Sequence, residues 1–389
     1  NYQYATKNNA MKLLLLNIFM LFLLFACNEN IEISTENIID NFEEYKVLED
    51  ELINLEKIDI GTKLNNPWAL EFINDNEILI TEKSGNLIYA NLKTNKYHKI
   101  IHEIPVASIG QGGLLDIKIH DGYLYVSFSI KNINGKYTTA IGKGTISDDF
   151  KKLNNFKILF KAEPFYSSGK HFGSRIIIKD NYLFATIGER GQGDVGQNLN
   201  SHAGSIIRIN LDGSVPENPF EGEFKEIFMI GVRNPQGMAL SKEGDLIISN
   251  HGAKGGDFIG QVESGSNYGW NKIGWGGTNY TGTKIGDGIP FKEEYKYPLL
   301  SWVPSIAPSD LIFYYGNEFP EWNGDILATS LKYKLLIKLE YDGKKIINKH
   351  IVFKDKIGRL RDVDINSNGE IFIITDELDS SIWKLTSNQ

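Results

Sequence analysis

Residues 170–191 read KHFGSRIIIKDNYLFATIGERG and contain two short apolar runs on either side of an Asp-Asn turn. Runs of this length that are rich in Ile, Tyr and Phe and are bounded by turn residues indicate antiparallel β-strands. His171 and Glu189 stand just outside the two runs. Loops at the ends of strands are where a rigid β scaffold commonly presents its chemistry. The stretch therefore predicts a strand–turn–strand unit with functional residues at its open end.

The same unit recurs along the chain. Its six copies are PWALEFINDNEILITEKSGNLIYAN, GGLLDIKIHDGYLYVSFSI, GSRIIIKDNYLFATIGERG, PQGMALSKEGDLIISNHG, PSDLIFYYGNEFPEWNGDILATSL and GRLRDVDINSNGEIFIITDELDSSIWKL. Repeats of this kind predict an all-β fold, a six-bladed β-propeller with four-stranded antiparallel blades. A β-sandwich is the alternative, but so many near-equivalent units favour radial repetition.

The composition fits one large β-rich domain. The chain has 389 residues, of which 41% are hydrophobic, and this is enough for a sizeable core. Its net charge is −8 and it has no run of Lys or Arg, so we expect no nucleic-acid partner.

The N-terminal region resembles a bacterial lipoprotein signal. From Met11 the chain reads MKLLLLNIFMLFLLFAC, with one Lys, an apolar run and then the single cysteine, Cys27. A transmembrane helix needs about 20 apolar residues, more than this run supplies, and a buried structural thiol is the other alternative. We expect translation to start at Met11, residues 1–27 to form the signal region, and Cys27 to carry lipid. This predicts a protein anchored on the periplasmic side of the bacterial cell envelope, at the outer membrane.

Two further regions follow the signal. Residues 28–55 are acidic and lack Gly and Pro, so we predict a tether there, with room for a short helix. Residues 56–389 are predicted to form the propeller.

Ten segments, in this order, resemble the soluble glucose/sorbosone dehydrogenase family, or aldose sugar dehydrogenases. They are NPWALEF, GQGGLLDI, HFGSR, TIGERG, HAGSIIRINLDGSVPENPF, GVRNPQGMAL, HGAKGGD, SNYGW, PSIAPSDL and GRLRDV. The resemblance covers about residues 60–386 and implies a six-bladed propeller with pyrroloquinoline quinone (PQQ) on its top face, in agreement with the repeat count.

The resemblance also implies catalytic roles. Oxidation of a sugar's anomeric hydroxyl needs a base for the O–H proton and a cofactor that accepts hydride. His171 matches the family's catalytic His, and Glu189 stands where the family usually has Asp, as the residue that orients it. Arg233 matches a cation that stabilises negative charge on the quinone oxygens.

The cofactor contacts implied by the resemblance are more numerous. PQQ carries three carboxylates, which the guanidinium and ammonium groups of a cationic clamp would hold. The matching residues are Gln111, Asn234, Lys332, Arg359 and Arg361. Alternate spacing predicts that Arg359 and Arg361 lie on one face of a strand.

A calcium ion beside the quinone is also implied. The carbonyls of Gly252 and Ala253, in HGAKGGD, match its ligand positions, and Ala253 stands where the family commonly has Pro. Relatives hold a second, structural calcium with an acid where this chain has Phe258 and with the carbonyl that matches Tyr268. Phe cannot supply a carboxylate, so we predict no second ion of that kind.

The sequence therefore predicts an oxidoreductase that converts aldose sugars to lactones, with PQQ and Ca²⁺ as cofactors and an external electron acceptor as partner. The alternatives are a calcium-dependent propeller lactonase and a sugar-binding propeller without catalysis, because fold alone does not decide function.

Overall fold

The computed structural model describes residues 38–48 and 52–388. These residues form strands, short 3₁₀ turns and loops, and none of them forms an α-helix. The described part of the chain also has no helix long and apolar enough to cross a membrane. The strands, numbered in chain order, are β1 Ile39–Asp40, β2 Lys46–Val47, β3 Ile53–Ile58, β4 Pro67–Asn74, β5 Glu77–Glu82, β6 Leu87–Asn91, β7 Lys96–Lys99, β8 Leu114–His120, β9 Tyr123–Lys131, β10 Tyr137–Ile146, β11 Leu153–Lys161, β12 Gly173–Lys179, β13 Tyr182–Ile187, β14 Ser205–Asn210, β15 Ile227–Ile230, β16 Pro235–Leu240, β17 Leu246–Asn250, β18 Asp257–Gln261, β19 Leu300–Trp302, β20 Pro308–Phe313, β21 Ile326–Ser330, β22 Leu335–Tyr341, β23 Ile346–Lys354, β24 Leu360–Ile365, β25 Ile371–Thr375 and β26 Ile382–Ser387. The 3₁₀ turns are Phe42–Glu44, Gly193–Gln197 and Pro320–Trp322.

Six sheets surround a common axis, which confirms the predicted six-bladed propeller. Each blade has four antiparallel strands, and the first strand of a blade contacts the first strands of its neighbours, so these strands line the axis. In chain order the blades are β4–β7, β8–β11, β12–β15, β16–β19, β20–β23, and β24–β26 with β3.

The last blade closes the ring with a strand from the other end of the chain. Strand β3 pairs antiparallel with β26, so that Ile58 lies opposite Ile382 and Ile53 opposite Ser387. The backbone hydrogen bonds between these distant segments join the first blade to the last. None of the six sequence repeats includes residues 53–58, and the closing strand was therefore not foreseen.

Residues 38–48 belong to the same folded unit as the blades. Strand β1 pairs parallel with β19, and β2 pairs parallel with β23. Between them the ring of Phe42 is fully buried. The sequence analysis placed this segment in an acidic tether, but strand pairing and burial of Phe42 attach it to two blades instead. Residues 28–37 and 49–51, like the predicted signal region and Cys27, lie outside the described residues.

One buried guanidinium, that of Arg175 on β12, contacts the inner strand of every other blade. Arg175 is 3% exposed, because other side chains surround it at the axis. Its partners are Trp68 on β4, with the ring centroid 4.4 Å from Cζ; Asp116 on β8, 2.9 Å from Nη1; the Gln236 carbonyl on β16, 2.9 Å from Nε; Asp310 on β20, 3.2 Å from Nη2; and Asp362 on β24, 2.7 Å from Nη1. Since a buried charge is costly unless paired, three carboxylates around one Arg favour a single closed arrangement of the blades.

The inner strands all run in the same sense along the axis, so the loops before them share one face of the ring. Gln111, His171 and Arg233 each precede an inner strand, and Arg359 immediately precedes β24. We call this side the top face. At the opposite ends of the inner strands, a cavity of about 340 Å³ is lined by residues that include Lys118, Asp364 and Phe313. The predicted site residues therefore lie on the top face, away from that cavity.

Candidate functional site

His171 and Glu189 meet on the top face of the third blade. The Nδ1 atom of His171 and the Oε1 atom of Glu189 form a short hydrogen bond, in which Nδ1–H donates to the carboxylate. Nε2 has no hydrogen-bond partner among the described residues. The arrangement leaves one ring nitrogen able to accept a proton, and the extra methylene of Glu189 relative to Asp does not prevent the contact.

The surroundings keep His171 neutral near neutral pH. The His171 residue is 9% exposed, and burial lowers the pKa of its imidazole below the ordinary value. The hydrogen bond to Glu189 raises the pKa, the nearby Arg233 lowers it, and the net shift is downward. A neutral imidazole can act as a general base, so the direction of this shift matches the predicted role.

Glu189 is itself held in position and stays ionised. Its other carboxylate oxygen accepts a hydrogen bond from the backbone N–H of Gly193 at 2.8 Å, and its own N–H donates to the Arg233 carbonyl at 2.8 Å. Burial raises the pKa of Glu189, but the hydrogen bonds from His171 and Gly193 outweigh burial and lower it. Glu189 is thus a fixed acceptor for His171 Nδ1–H.

Gln111 and Asn234 support the same loop from two sides. The side-chain oxygen of Gln111 accepts the His171 backbone N–H at 2.7 Å, and that of Asn234 accepts the Gly173 N–H at 3.1 Å. Both residues were predicted as cofactor contacts, and the structure brings both to the His171 loop. Whether either also contacts a cofactor stays a prediction.

Arg190 is a residue of this loop that the sequence analysis did not single out, although it lies within TIGERG. The residue is 1% exposed, and its guanidinium donates to the carbonyls of Lys170, at 2.9 Å, and Ser168. His171 has a φ of 51°, a left-handed conformation that is uncommon for residues other than glycine. The bonds from Arg190 hold the chain next to this turn, so Arg190 acts as a positioning residue.

Arg233 places a permanent cation next to His171. It is 6% exposed, and its Nη1 atom lies 3.5 Å from the His251 carbonyl. Its guanidinium carbon lies 5.4 Å from the ring centroid of Trp270 and 6.0 Å from that of Tyr280, which is an exposed aromatic residue. Burial and Arg233 lower the pKa of His251 to about 3, so His251 adds no positive charge.

The other predicted cations form a looser group on the fifth and sixth blades. Arg361 is buried and donates to Gln236 Oε1 at 2.8 Å and to Asp376 at 2.7 Å. Arg359 is exposed and donates to the carbonyl of Leu331 at 3.3 Å. Leu331 directly precedes Lys332 in the chain. Lys332 contacts no other predicted site residue directly, and its Nζ atom donates to the Ser305 carbonyl at 3.3 Å.

The predicted sharing of one strand face by Arg359 and Arg361 does not hold. Strand β24 begins at Leu360, and its pairing with β25 shifts register between Leu360 and Asp362. Alternation applies to a regular strand, and this irregularity leaves Arg359 exposed before the strand while Arg361 is buried in it. Lys83 and Asp376, which the sequence analysis missed, also lie with these two arginines.

The Gly252–Gly256 turn has the form expected of a site with backbone ligands. The buried carboxylate of Asp257 accepts the Gly252 N–H at 2.7 Å, and also binds Ser305 and the Ala307 N–H. The carbonyl of Gly252 accepts no backbone hydrogen bond from the described residues. Those residues also contain no group of three His, Cys, Asp or Glu side chains suited to a metal ion. The turn could therefore offer a hard cation carbonyl oxygens only.

The residues at the expected second calcium position form an aromatic cluster instead. The ring of Phe258 is fully buried, 4.6 Å from the ring of Tyr268 and 4.7 Å from that of Trp275. The Tyr268 carbonyl accepts the Trp275 indole N–H at 2.8 Å. One lone pair of the Tyr268 carbonyl is thus taken by the indole N–H, and the side chain at position 258 offers no oxygen.

We therefore expect no calcium between Phe258 and Tyr268 in crystals soaked with calcium and PQQ. Anomalous scattering from the soaked ion is the measurement. A peak at the Gly252–Gly256 turn in the same crystal is the internal control for successful soaking. An ion surrounded by oxygen atoms at Phe258 is the result that contradicts this prediction.

With the fold and site defined, comparison with known proteins identifies the class. Residues 64–384 match the family model described as Glucose / Sorbosone dehydrogenase. The chain is 34% identical over 340 residues to aldose sugar dehydrogenase YliI of Escherichia coli strain K12, covering 83% of this chain and 91% of that protein. It is 26% identical over 412 residues to quinoprotein glucose dehydrogenase B of Acinetobacter calcoaceticus, covering 83% of this chain and 86% of that protein.

Solved structures support the same class of protein. The soluble aldose sugar dehydrogenase of Escherichia coli in its apo form superposes with a TM-score of 0.81 at 33% identity, covering 86% of this chain and 99% of that one. A PQQ-bound aldose sugar dehydrogenase from Streptomyces coelicolor shares the fold, with a TM-score of 0.72 at 21% identity over 87% of this chain and 100% of that one. The chain belongs to the glucose/sorbosone dehydrogenase family, whose relatives include aldose and glucose dehydrogenases.

Proposed function

We propose that this protein is a PQQ- and calcium-dependent aldose dehydrogenase that oxidises the anomeric hydroxyl of a sugar to a lactone. The observation that carries the proposal is the neutral His171, held by Glu189 through Nδ1 and lying near the cation of Arg233. The quinoprotein name of the Acinetobacter relative and the aldose dehydrogenase name of the Escherichia coli relative support it.

In this proposal His171 is the general base. Nδ1–H is committed to Glu189, so Nε2 accepts the proton of the anomeric hydroxyl. As the imidazole becomes cationic, the Glu189 carboxylate stabilises it, and the N–H of Gly193 keeps that carboxylate in position. The electrons of the O–H bond form the new C=O bond. The hydrogen on the anomeric carbon leaves with the electron pair of its C–H bond, as hydride.

When bound, PQQ supplies the electrophile that accepts this hydride, and an external acceptor later removes the two electrons. The chain contributes positive charge for the quinone oxygens through Arg233 and for the cofactor carboxylates through Arg359, Arg361 and Lys332. The carbonyls of Gly252 and Ala253 would hold the calcium ion.

Reconstitution tests the proposal. Purified apoprotein is mixed with PQQ and calcium, and reduction of an artificial electron acceptor is followed with a panel of aldoses. We expect reduction that requires PQQ, calcium and an aldose together. Hydrolysis of sugar lactones without acceptor reduction is the outcome that favours the lactonase alternative, and sugar binding without turnover favours the binding propeller.

We also propose that Cys27 carries lipid and anchors the protein on the periplasmic side of the cell envelope, as the signal-like sequence predicts. Replacing Cys27 with Ser removes the sulfur that the lipid would modify. We expect the variant to leave the membrane fraction or to remain unprocessed, as judged by fractionation and by mass spectrometry of the N-terminus. If the Cys27→Ser variant fractionates like the parent protein, the anchor is elsewhere or absent.

A further inference from the structure

Lys83 occupies, in the first blade, a position that carries site residues in other blades. It directly follows β5, the second strand of its blade. In the third, fifth and sixth blades, Glu189, Lys332 and Asp376 lie within two residues of the end of the second strand. Second strands run toward the top face, so the repeat brings Lys83 to the same face as the predicted site.

The backbone of Lys83 packs against the segment that supports His171. A side-chain carbon on Gly113 would lie 2.1 Å from the Lys83 carbonyl oxygen, so glycine is required for this close approach. Two residues earlier, Gln111 accepts the His171 N–H at 2.7 Å. Lys83 is therefore connected through a short segment to the loop of the catalytic base.

The side chain of Lys83 extends toward the arginines of the sixth blade. Its Nζ atom lies 3.9 Å from Asp376 Oδ1, a distance too long for a hydrogen bond. The other oxygen of Asp376 binds Arg361 at 2.7 Å, and the Asp376 N–H donates to the Arg359 carbonyl at 2.7 Å. Two cationic side chains, those of Lys83 and Arg361, thus face one carboxylate, while Arg359 lies in the adjacent loop and its N–H donates to Glu377.

The single negative charge of Asp376 is smaller than the positive charge of the cations near it. Burial raises the pKa of Asp376, but Arg361 and Lys83 outweigh burial and lower it to about 2, so the group is always ionised and supplies one negative charge. Burial lowers the pKa of Lys83, and Arg361 and Arg359 lower it further while Asp376 raises it. Surplus positive charge in a partly buried pocket favours an anionic ligand.

We propose that Lys83 is a further ligand of the cofactor carboxylates, on the side of the clamp between Gln111 and Arg361. This inference rests on the proposed function, because it takes PQQ as the tricarboxylate that binds here. The side chain of Lys83 is 22% exposed and its Nζ atom forms no hydrogen bond with the described residues. It therefore has both the access and the free donors to bind a carboxylate oxygen.

The test measures PQQ affinity directly, without turnover. Apoprotein is titrated with PQQ at fixed calcium, with equilibrium dialysis as the readout, at several salt concentrations. We expect Lys83→Met to bind PQQ about 10-fold more weakly than the parent, the range for one charge-assisted hydrogen bond, and Lys83→Arg to lose much less. The salt dependence of binding should also be weaker in Lys83→Met, because one ionic contact is removed.

Two comparisons make the result specific. Arg361→Ala should lose about 10-fold to 100-fold in PQQ affinity, since Arg361 is a predicted clamp residue. Lys296→Met is the matched control, because Lys296 is 18% exposed and pairs with Glu263 at 2.7 Å beyond the far end of β18, and its PQQ affinity should equal that of the parent.

The outcomes separate this inference from the proposed function. A parent protein that binds PQQ and a Lys83→Met variant that binds it equally well, with the same salt dependence, overturn the role of Lys83 and leave the proposed function standing. A parent protein that binds no PQQ overturns both. Thermal unfolding of each apoprotein checks that weaker binding does not come from a damaged fold.

Discussion

Replacing His171 with Gln is expected to slow sugar-driven reduction of the bound quinone by about 10²–10⁴-fold, the usual contribution of a general base. Gln keeps a polar side chain of similar reach but cannot take the anomeric proton. The affinities for PQQ and sugar should change little, because the proposed role of His171 is proton removal. Single-turnover absorbance of the quinone separates this loss from any change in binding.

The pH profile is an independent readout of the same claim. The pKa of His171 is lowered from its ordinary value near 6.5, so the active, neutral form predominates at pH 7. The rate should fall as the pH drops through the shifted pKa, on the acidic side of 6.5, and this limb should vanish in the Gln variant. Glu189→Gln should give a smaller rate loss, because Glu189 orients and stabilises the ring without taking the substrate proton.

His350 supplies a matched control for that experiment. It lies 3.2 Å from Glu340, and its side chain is 14% exposed compared with 11% for His171. It belongs to β23, the fourth strand of its blade counted from the axis. His350→Gln should therefore reduce the quinone at the parental rate. A His171→Gln protein that also does so contradicts the catalytic role of His171.

The second large effect concerns stability. Arg175→Met is expected to lower the free energy of unfolding by about 3–5 kcal/mol, the range for removing one partner of a buried charge pair. The variant leaves Asp116, Asp310 and Asp362 close together at the axis without their shared cation. Urea unfolding followed by tryptophan fluorescence measures the change.

The pH dependence of this loss follows from the same charges. Burial already raises the pKa of Asp116 and Asp310 while Arg175 lowers it, and without Arg175 both values rise further. The folded variant then binds more protons than the unfolded chain, so its stability should fall as pH rises and partly recover in mild acid. Arg208→Met is the control, because Arg208 donates to Asn218 at 2.8 Å and has no carboxylate partner among the described residues. Equal stability of Arg175→Met and the parent contradicts the axial role.

The sequence predicted the architecture because each blade carries its own strand and turn signals. The six repeats are local patterns, and their number fixes the number of blades. The closing strand was missed because β3 has no unit of its own and pairs with β26 at the other end of the chain. The position of β3 depends on closure of the ring, and no local sequence pattern indicates that closure.

The candidate site was predicted in part for a similar reason. His171 and Glu189 stand at strand ends within recognisable motifs, and the structure brings them into contact. Lys83 lies in TEKSGN, where a lysine is typical of any solvated turn, and nothing nearby indicates Asp376, almost 300 residues later. The cluster around Arg175 joins five further strands, so its members become recognisable only when the blades are in place.

The most direct test of the central claim is the product of a single turnover. Apoprotein loaded with PQQ and calcium is mixed with an excess of an aldose labelled with ¹³C at the anomeric carbon, with no electron acceptor present. Carbon NMR of the quenched mixture should show one lactone, or the aldonate formed from it, for each bound PQQ, and none when PQQ is omitted. Absence of labelled lactone and aldonate from the loaded sample, for every sugar of the panel, would contradict the account.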